Sequence, residues 1–430
     1  MRSLSHLSTA ALAATAFLAA GAGSASAFGA PSGHRALPDQ HHAGLKGHGR
    51  EPARRSARGR GPLGHGPLIH PPVAPHPVFH PPVGQPAGST RAVFVQTDNV
   101  AGNQIVSYSR SSSGGLSQAG VFDTGGLGGV LEGSEVDHLA SQGSLTYDPA
   151  NGLLYAVNAG SNTVSVFAVL GDQLALRQVI SSGGSFPVSI AVFHGLVYVL
   201  NAEEGGSVQG FTVAFGRLLP IPGSNRALGL DPTATPQFTT TPGQVAFSPD
   251  GSQLIVTTKA NGNDIDVFRV GAFGQLSHTP VVNSEPATVP FGVTFDRAGD
   301  LVVAESAGSI ASFRLSPNGT VTLLDAVETG QKATCWVVGA GSDFYTSNPG
   351  SASLSGFQAG LGGALTSLGN TETDGGTVDA AVASDGRFLY VQTGAAGDVD
   401  EFAIGAQGAL SKIGSVTVPG ATGGEGIVAP

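Results

Sequence analysis

The chain has 430 residues and a mass of 42.8 kDa, with 65 glycines, 27 prolines, a single cysteine and 12% charged residues. One cysteine excludes a disulfide-stapled scaffold, and the scarcity of Lys and Glu excludes a coiled coil. Glycine at about twice its usual share of roughly 7% points instead to a strand-rich body with many tight turns.

Met1 to Ala27 reads as a secretory leader: Arg2 gives the positive start, Ala10 to Ala20 the apolar run, and Ala25-Ser26-Ala27 the small-residue cleavage signature before Phe28. The apolar run is shorter than the roughly 20 residues that a spanning helix needs. No transmembrane segment is therefore expected, and the mature protein is expected outside the cytoplasm. Retention as an uncleaved N-terminal anchor is the alternative.

Residues 28–89 shift to Pro, His, Gly and Arg, as in His70-Pro71-Pro72-Val73-Ala74-Pro75-His76-Pro77. Such a segment cannot bury a core, so a disordered or semi-rigid polyproline spacer is expected. Its formal charge is +5, whereas residues 89–430 carry −16. The acidic body argues against nucleic acid as a partner. The basic tail is suited to touching an anionic cell envelope, or to acting as a solvated spacer with no partner. Nine of the 12 histidines precede residue 89, but on an unordered backbone they predict only weak, poorly selective metal binding.

From residue 90 onward one unit recurs. Its clearest copy, Leu145-Thr146-Tyr147-Asp148-Pro149-Ala150-Asn151-Gly152-Leu153-Leu154-Tyr155-Ala156-Val157-Asn158, reads as strand, turn and strand by its period of two and its Asp-Pro-Ala-Asn-Gly cluster. Phe94, Tyr155, Tyr198, Ile255, Val302, Tyr345 and Tyr390 mark seven copies at intervals of 61, 43, 57, 47, 43 and 45 residues. A unit of about 40–50 residues with four strands is a propeller blade, so residues 90–430 are predicted to form an all-β, seven-bladed β-propeller. The first copy begins at its second strand. Gly424-Glu425-Gly426-Ile427-Val428-Ala429 resembles Pro290-Phe291-Gly292-Val293-Thr294-Phe295, so the C-terminal strand is expected to close the ring.

The Asp-Gly turns, the Leu389-Tyr390-Val391 strand, the run from Asn158 to Phe167 and a Gly-x-Leu after such strands, as in Gly274-Gln275-Leu276, resemble the lactonase family of seven-bladed propellers. That family includes 6-phosphogluconolactonases and carboxymuconate-lactonizing enzymes. The resemblance spans nearly all of residues 91–430 and implies the fold; the motifs are packing and turn residues rather than chemistry. The lactonizing members use a histidine, a glutamate and arginines at the channel mouth. Here Lys259 stands where an arginine is expected, and no arginine pair matches. Export also disfavours a cytoplasmic phosphorylated sugar lactone.

In such a ring the starts of the inner strands and the loops between second and third strands share one mouth of the channel. The starts place Gln142, Gln244, Asp379, Glu425, Ser189, Phe291, Cys335 and Trp336 there; the loops add Asn158, Asn201, Glu203, Glu204, Lys259, Glu305 and Asn348. Two insertions, Asp123 to Ser141 and Leu219 to Thr241, fall on the same side and are expected to lid the channel partly. Opening a lactone needs a water-activating base and donors for the developing oxyanion. His138, Glu305 and Glu425 are candidate bases, and Lys259 and Gln244 candidate polarisers. His138, Lys259 and Glu305 form the catalytic candidate set; Gln142, Asn158, Asn201, Gln244, Asp379 and Glu425 form the ligand-binding set. Each also has a plain structural reading: a solvated histidine for His138, a Lys259–Glu305 salt bridge, and a small buried hydrophobe for Cys335. His194 and His278 fall on a hairpin turn and an outer connection. Asp398, Asp400 and Glu401 could gather a calcium ion, but their alternation along an outer strand suits solvent exposure better. No cofactor or metal motif is present in the body. Two functions therefore remain: a monomeric exported lactonase-like propeller binding a small polar ligand, and a non-catalytic envelope-associated binding or scaffold propeller.

Secretion by a suitable host should yield a protein whose N-terminus, read by mass spectrometry, is Phe28. A membrane-bound product that retains Met1 would establish the anchor instead.

Overall fold

Alternation of apolar and polar residues between Gly- and Asp-rich turns folds the body into seven antiparallel sheets, each running outward from the ring axis. The computed structural model describes residues 91–430; the expected leader 1–27 and tail 28–89 lie outside the described residues. The inner strands of blades 1 to 7 are Ile427–Val428, Leu145–Asp148, Pro187–Phe193, Gln244–Phe247, Pro290–Phe295, Trp336–Ala340 and Thr377–Val382. Six blades have four strands, and blade 3 adds the short strand Arg226–Ala227 beside Ser207–Ala214. The only helix of α type among the described residues is Gln237–Thr240, inside the second insertion.

All seven repeat anchors lie on second strands, and none is more than 1% exposed. They face the adjoining blades, where apolar side chains form the clusters that hold the ring together. The Gly-x-Leu motif has a stitching role. The hydroxyls of Tyr198, Tyr345 and Tyr390 donate to the carbonyls of Gly274, Gly408 and Gly114 in the next blade, the last two at 2.9 and 2.7 Å. These glycines hold φ of 77°, 74° and 96°, a left-handed backbone that turns the carbonyl toward the tyrosine and favours glycine. Burial pushes the Tyr198 and Tyr345 hydroxyls up to about 12, so they stay protonated donors.

Ring closure follows the expected route with a shorter strand. Only Ile427–Val428 pairs with the first blade, Val428 opposite Phe94 and Ile427 opposite Val95. Flanking bonds extend the contact: Gln96 N donates to Gly426 O at 2.8 Å, and Ser384 N of blade 7 donates to Ala429 O at 3.0 Å. The last residues thus bridge first and last blades. No helix among the described residues is long and apolar enough to cross a membrane.

Ile427 is 4% exposed between these blades, so Ile427→Ala should cost about 2–5 kcal/mol of stability. Denaturant unfolding measures it. An unchanged midpoint would mean that the ring does not depend on this strand.

Candidate functional site

The first insertion ends in Ala140-Ser141-Gln142, and this tripeptide crosses the channel axis. The Ser141 carbonyl accepts Trp336 Nε1 of blade 6 at 2.6 Å, its hydroxyl donates to Val188 O of blade 3 at 2.8 Å, and its amide donates to Glu425 Oε1 of blade 1 at 3.3 Å. Gln142 donates from its amide to Gly243 O at 3.0 Å, just before the inner strand of blade 4. Its carboxamide spans to blade 6, with Nε2 donating to Val337 O at 2.8 Å and Oε1 accepting Val337 N at 2.9 Å. Ala140 holds φ at 46°, a left-handed conformation that costs an L-residue about 1–2 kcal/mol. The bonds of the next two residues stabilise it.

Lys259 fastens the same segment. It is 1% exposed, and its ammonium donates to Ala140 O and Phe238 O, both at 2.7 Å, and to Thr241 Oγ1 at 3.2 Å. The first acceptor belongs to the first insertion and the other two to the second. Nζ also lies 5.2 Å from the Phe291 ring centroid, a cation–π contact in a desolvated setting. Burial pulls the ammonium below its usual range, opposed by the charges of Asp137 and Glu425.

The surrounding acids are held back from ionising. Burial raises Glu425, and Asp137, Asp98 and Asp379 push it further the same way. Its Oε2 is buried without a hydrogen-bond partner among the described residues. Asp98, which accepts Glu425 N at 2.8 Å and the Gln96 carboxamide, is pushed by burial to about 7. Burial likewise raises Asp137 and lowers His138. His138 packs so closely on Gly423 that a Cβ there would lie 2.1 Å from Nε2, which, with a φ of 74°, favours glycine at that position.

Below this plug the axis opens into a cavity of about 400 Å³. Gln142, Gln244 and Asp379 line its inner end. Inner strands start at the insertion face, so the lining by Val192 and Phe193 at the end of one strand, and by Phe247, Ser248 and Pro249 at the end of another, carries the cavity toward the opposite face. Asp379 Oδ1 accepts Ala380 N at 2.9 Å. Burial lifts its carboxyl to about 7, against the pull of the Ala380, Gly143 and Ile427 amides. Gln244 Oε1 accepts Val293 N at 2.6 Å. That bond fixes which end of the carboxamide is oxygen, and its NH2 end makes no hydrogen bond to a described residue.

The structure thus separates the sequence candidates. Gln142, Gln244 and Asp379 line the cavity, and Glu425, Lys259 and His138 belong to the plug above it. Glu305 lies elsewhere. It accepts Ser309 Oγ at 2.5 Å, is raised mainly by burial with smaller contributions from Glu285 and Glu328, and forms no ion pair with Lys259. Lys259 cannot polarise a carbonyl in this conformation, because its ammonium already serves three protein acceptors. Asn158 is tied to Thr163, Ser165 and Asn103, and Asn201 reaches Ser182 O and Ser207; neither lines the cavity. Cys335 is buried, and its thiol is pushed up to about 12 mainly by burial, as suits a small hydrophobe. The strand of Asp398, Asp400 and Glu401 requires a correction: it is third of four, Asp400 and Glu401 are buried, Asp400 pairs with Lys412 at 2.9 Å, and Glu401 accepts Leu116 N at 2.9 Å. Among the described residues no group of three or more His, Cys, Asp or Glu side chains is placed to hold a metal.

Asp98 and Asp137 escaped the sequence reading, as did Phe193 and Phe247 at the outer part of the cavity. Asp98 carried a usable signal. It stands four residues after its repeat anchor, as Lys259 does, and both hold φ at 52°.

These acids make stability fall as pH rises. Asp98 and Asp379 ionise near 3.8 when unfolded and near 7 when folded, so the native state holds the extra protons between those values. Urea midpoints should therefore drop from about pH 4 to about pH 7. Glu425→Gln, which removes a carboxyl that burial and its acidic neighbours keep from ionising, should be more stable than the wild type at pH 8 and flatten the slope. A slope unchanged in that variant would show that Glu425 ionises freely.

A family model described as "Lactonase, 7-bladed beta-propeller" matches residues 104–423. No curated protein matches the chain. Similar solved structures include a putative 6-phosphogluconolactonase from Bacteroides fragilis at 19% identity and TM-score 0.62, covering 79% of this chain and 98% of that one. A protein from Lactobacillus plantarum aligns at 20% identity and TM-score 0.64, covering 78% and 98%. The periplasmic gluconolactonase PpgL of Pseudomonas aeruginosa aligns at 18% identity and TM-score 0.62, again covering 78% and 98%. At these identities the structures establish the fold alone. The family model spans most of the chain, and the chain belongs to the lactonase family of seven-bladed β-propellers.

Proposed function

We propose that this protein is exported and hydrolyses a lactone in the axial cavity, with Asp379 as general base and Gln244 as donor to the carbonyl oxygen. The observation that carries this reading is a buried carboxyl held near 7 on the wall of a cavity of about 400 Å³, within a lactonase-family propeller. Cavities of roughly 300–1,000 Å³ suit small ligands, and a base with a pKa near the working pH removes a proton most effectively. Export is supported by the Ala25-Ser26-Ala27 signature and by the periplasmic designation of the Pseudomonas aeruginosa relative.

In the reaction, Asp379 takes a proton from water as the water oxygen bonds to the lactone carbonyl carbon. The resulting oxyanion accepts the free N–H of Gln244, whose orientation Val293 fixes. Collapse of the tetrahedral intermediate breaks the ring C–O bond. Protonated Asp379 returns its proton to the departing alkoxide, and a hydroxy acid leaves.

One observation favours the non-catalytic reading: the insertion-side mouth is filled by Ala140-Ser141-Gln142. Activity decides between the two. On the wild type, kcat/KM for lactone opening should rise with pH through an inflection near 7. Asp379→Asn should lower kcat about 10²–10⁴-fold, and Gln244→Ala about 10²–10³-fold. Acid release no faster than buffer across sugar and aliphatic lactones would leave the binding module as the answer.

A further inference from the structure

We infer that the ligand of this cavity is an uncharged lactone bearing an apolar arm, with its ring at the inner end and the arm directed toward the face opposite the insertions. The inference rests on the cavity assigned above and names its substrate class.

The lining is graded along the axis. Its inner end holds two carboxamides and Asp379, whereas Ile190, Val192, Phe193, Ala246 and Phe247 line the part farther along the same strands. Phe193 and Phe247 lie with ring centroids 5.7 Å apart and tilted by 39°. Both are anchored in the seam of blades 3 and 4, Phe193 against Gly251 and Phe247 against Tyr198, and what they leave to the cavity lining is one continuous apolar edge. The exposed imidazole of His194 stacks on the Phe193 ring, with centroids 4.3 Å apart and an interplanar angle of 29°. The aromatic surface therefore continues past the lining to the hairpin at the end of the strand. Two hydroxyls interrupt this lining, but Thr146 Oγ1 donates to Gly143 O and Ile190 O, and Ser248 Oγ to Asp250 Oδ1. Such a wall binds methylenes, with polar recognition at the far end.

Charge removes the main competitor. Asp379 is the single ionisable side chain among the described lining residues, and it is acidic. A phosphate ester carries about −1.5 to −2 at pH 7 and would be desolvated beside a carboxylate with no lysine or arginine to receive it. The body adds long-range repulsion through its charge of −16. The one buried lysine nearby, Lys259, is committed to Ala140, Phe238 and Thr241 on the far side of the plug.

The test measures binding and turnover separately. Isothermal calorimetry would compare γ-lactones of increasing alkyl length and an unsubstituted aldonolactone on the full-length Asp379→Asn protein, and a phosphorylated aldonolactone on both that variant and the wild type, whose Asp379 carboxylate is part of the barrier to it. Affinity should rise about two- to fourfold per methylene until the wall is covered. The phosphorylated compound should bind at least 100-fold more weakly than the longest alkyl lactone, and Phe193→Ala should reduce the gain per methylene. Affinity that is flat with chain length, binding of none of the panel, or preference for the phosphorylated compound would overturn the inference. Wild-type turnover of the same panel is the separate readout for the hydrolase. Chain-length-dependent binding without turnover would reject hydrolysis and leave the ligand class standing.

Discussion

The architecture depends on what fills its axis. Seven wedge-shaped sheets leave a central hole, and in this protein a single tripeptide, Ala140-Ser141-Gln142, ties blades 1, 3, 4 and 6 across it. Backbone groups held away from water need protein partners. Those of the tripeptide are met by Asp137 O and Lys259 at Ala140, by Glu425 and Trp336 at Ser141, and by Gly243 O and the Ser189 hydroxyl at Gln142. Removing a buried donor leaves an acceptor desolvated and alone, at a cost of about 1–3 kcal/mol, which makes these side chains structural before they are anything else.

This plug decides where chemistry can take place. Lys259 and the acids around it have the mixture of shifted groups that marks many active sites, but the Lys259 ammonium is taken up by three protein acceptors, and Glu425 is enclosed even though its Oε2 has no partner among the described residues. Asp379 differs because it is buried yet lines a cavity. Its raised pKa is therefore available to a ligand, whereas that of Glu425 is enclosed with Ser141 and its neighbours. Strain follows the same division. Asp98, Ala140 and Lys259 hold left-handed backbones in the plug, whereas Gln244 is on a regular inner strand and Asp379 sits where the register of its inner strand shifts between Thr377 and Ala380.

Much of the fold was legible in the sequence because a propeller repeats one packing solution. The seven anchors from Phe94 to Tyr390 recur because each second strand must bury a large side chain between blades, and Ile427 was readable as the missing inner strand by likeness to its counterparts. The cavity residues were legible in part. Gln142, Gln244 and Asp379 could be placed at inner-strand starts by counting. Their separation from Lys259 and His138 could not, because it depends on Gln142 reaching across the axis to Val337, a contact between residues 195 positions apart. Phe193 and Phe247 were hidden for another reason: an aromatic at the end of an inner strand resembles every other core aromatic until the shape of the channel is known. The burial of Asp400 and Glu401 was missed because a charged alternation looks solvent-facing unless Lys412 and the Leu116 amide are known to meet it.

The central claim is that ligand enters the axis from the face opposite the insertions and stops at Asp379. A crystal structure of the Asp379→Asn protein soaked with an alkyl-substituted γ-lactone tests it most directly. The account predicts density for the ring between residue 379 and Gln244, with the alkyl arm along Phe193 and Phe247 and the Ala140-Ser141-Gln142 crossing unmoved. Ligand density on the insertion side of that crossing, in contact with a released Lys259, would contradict it.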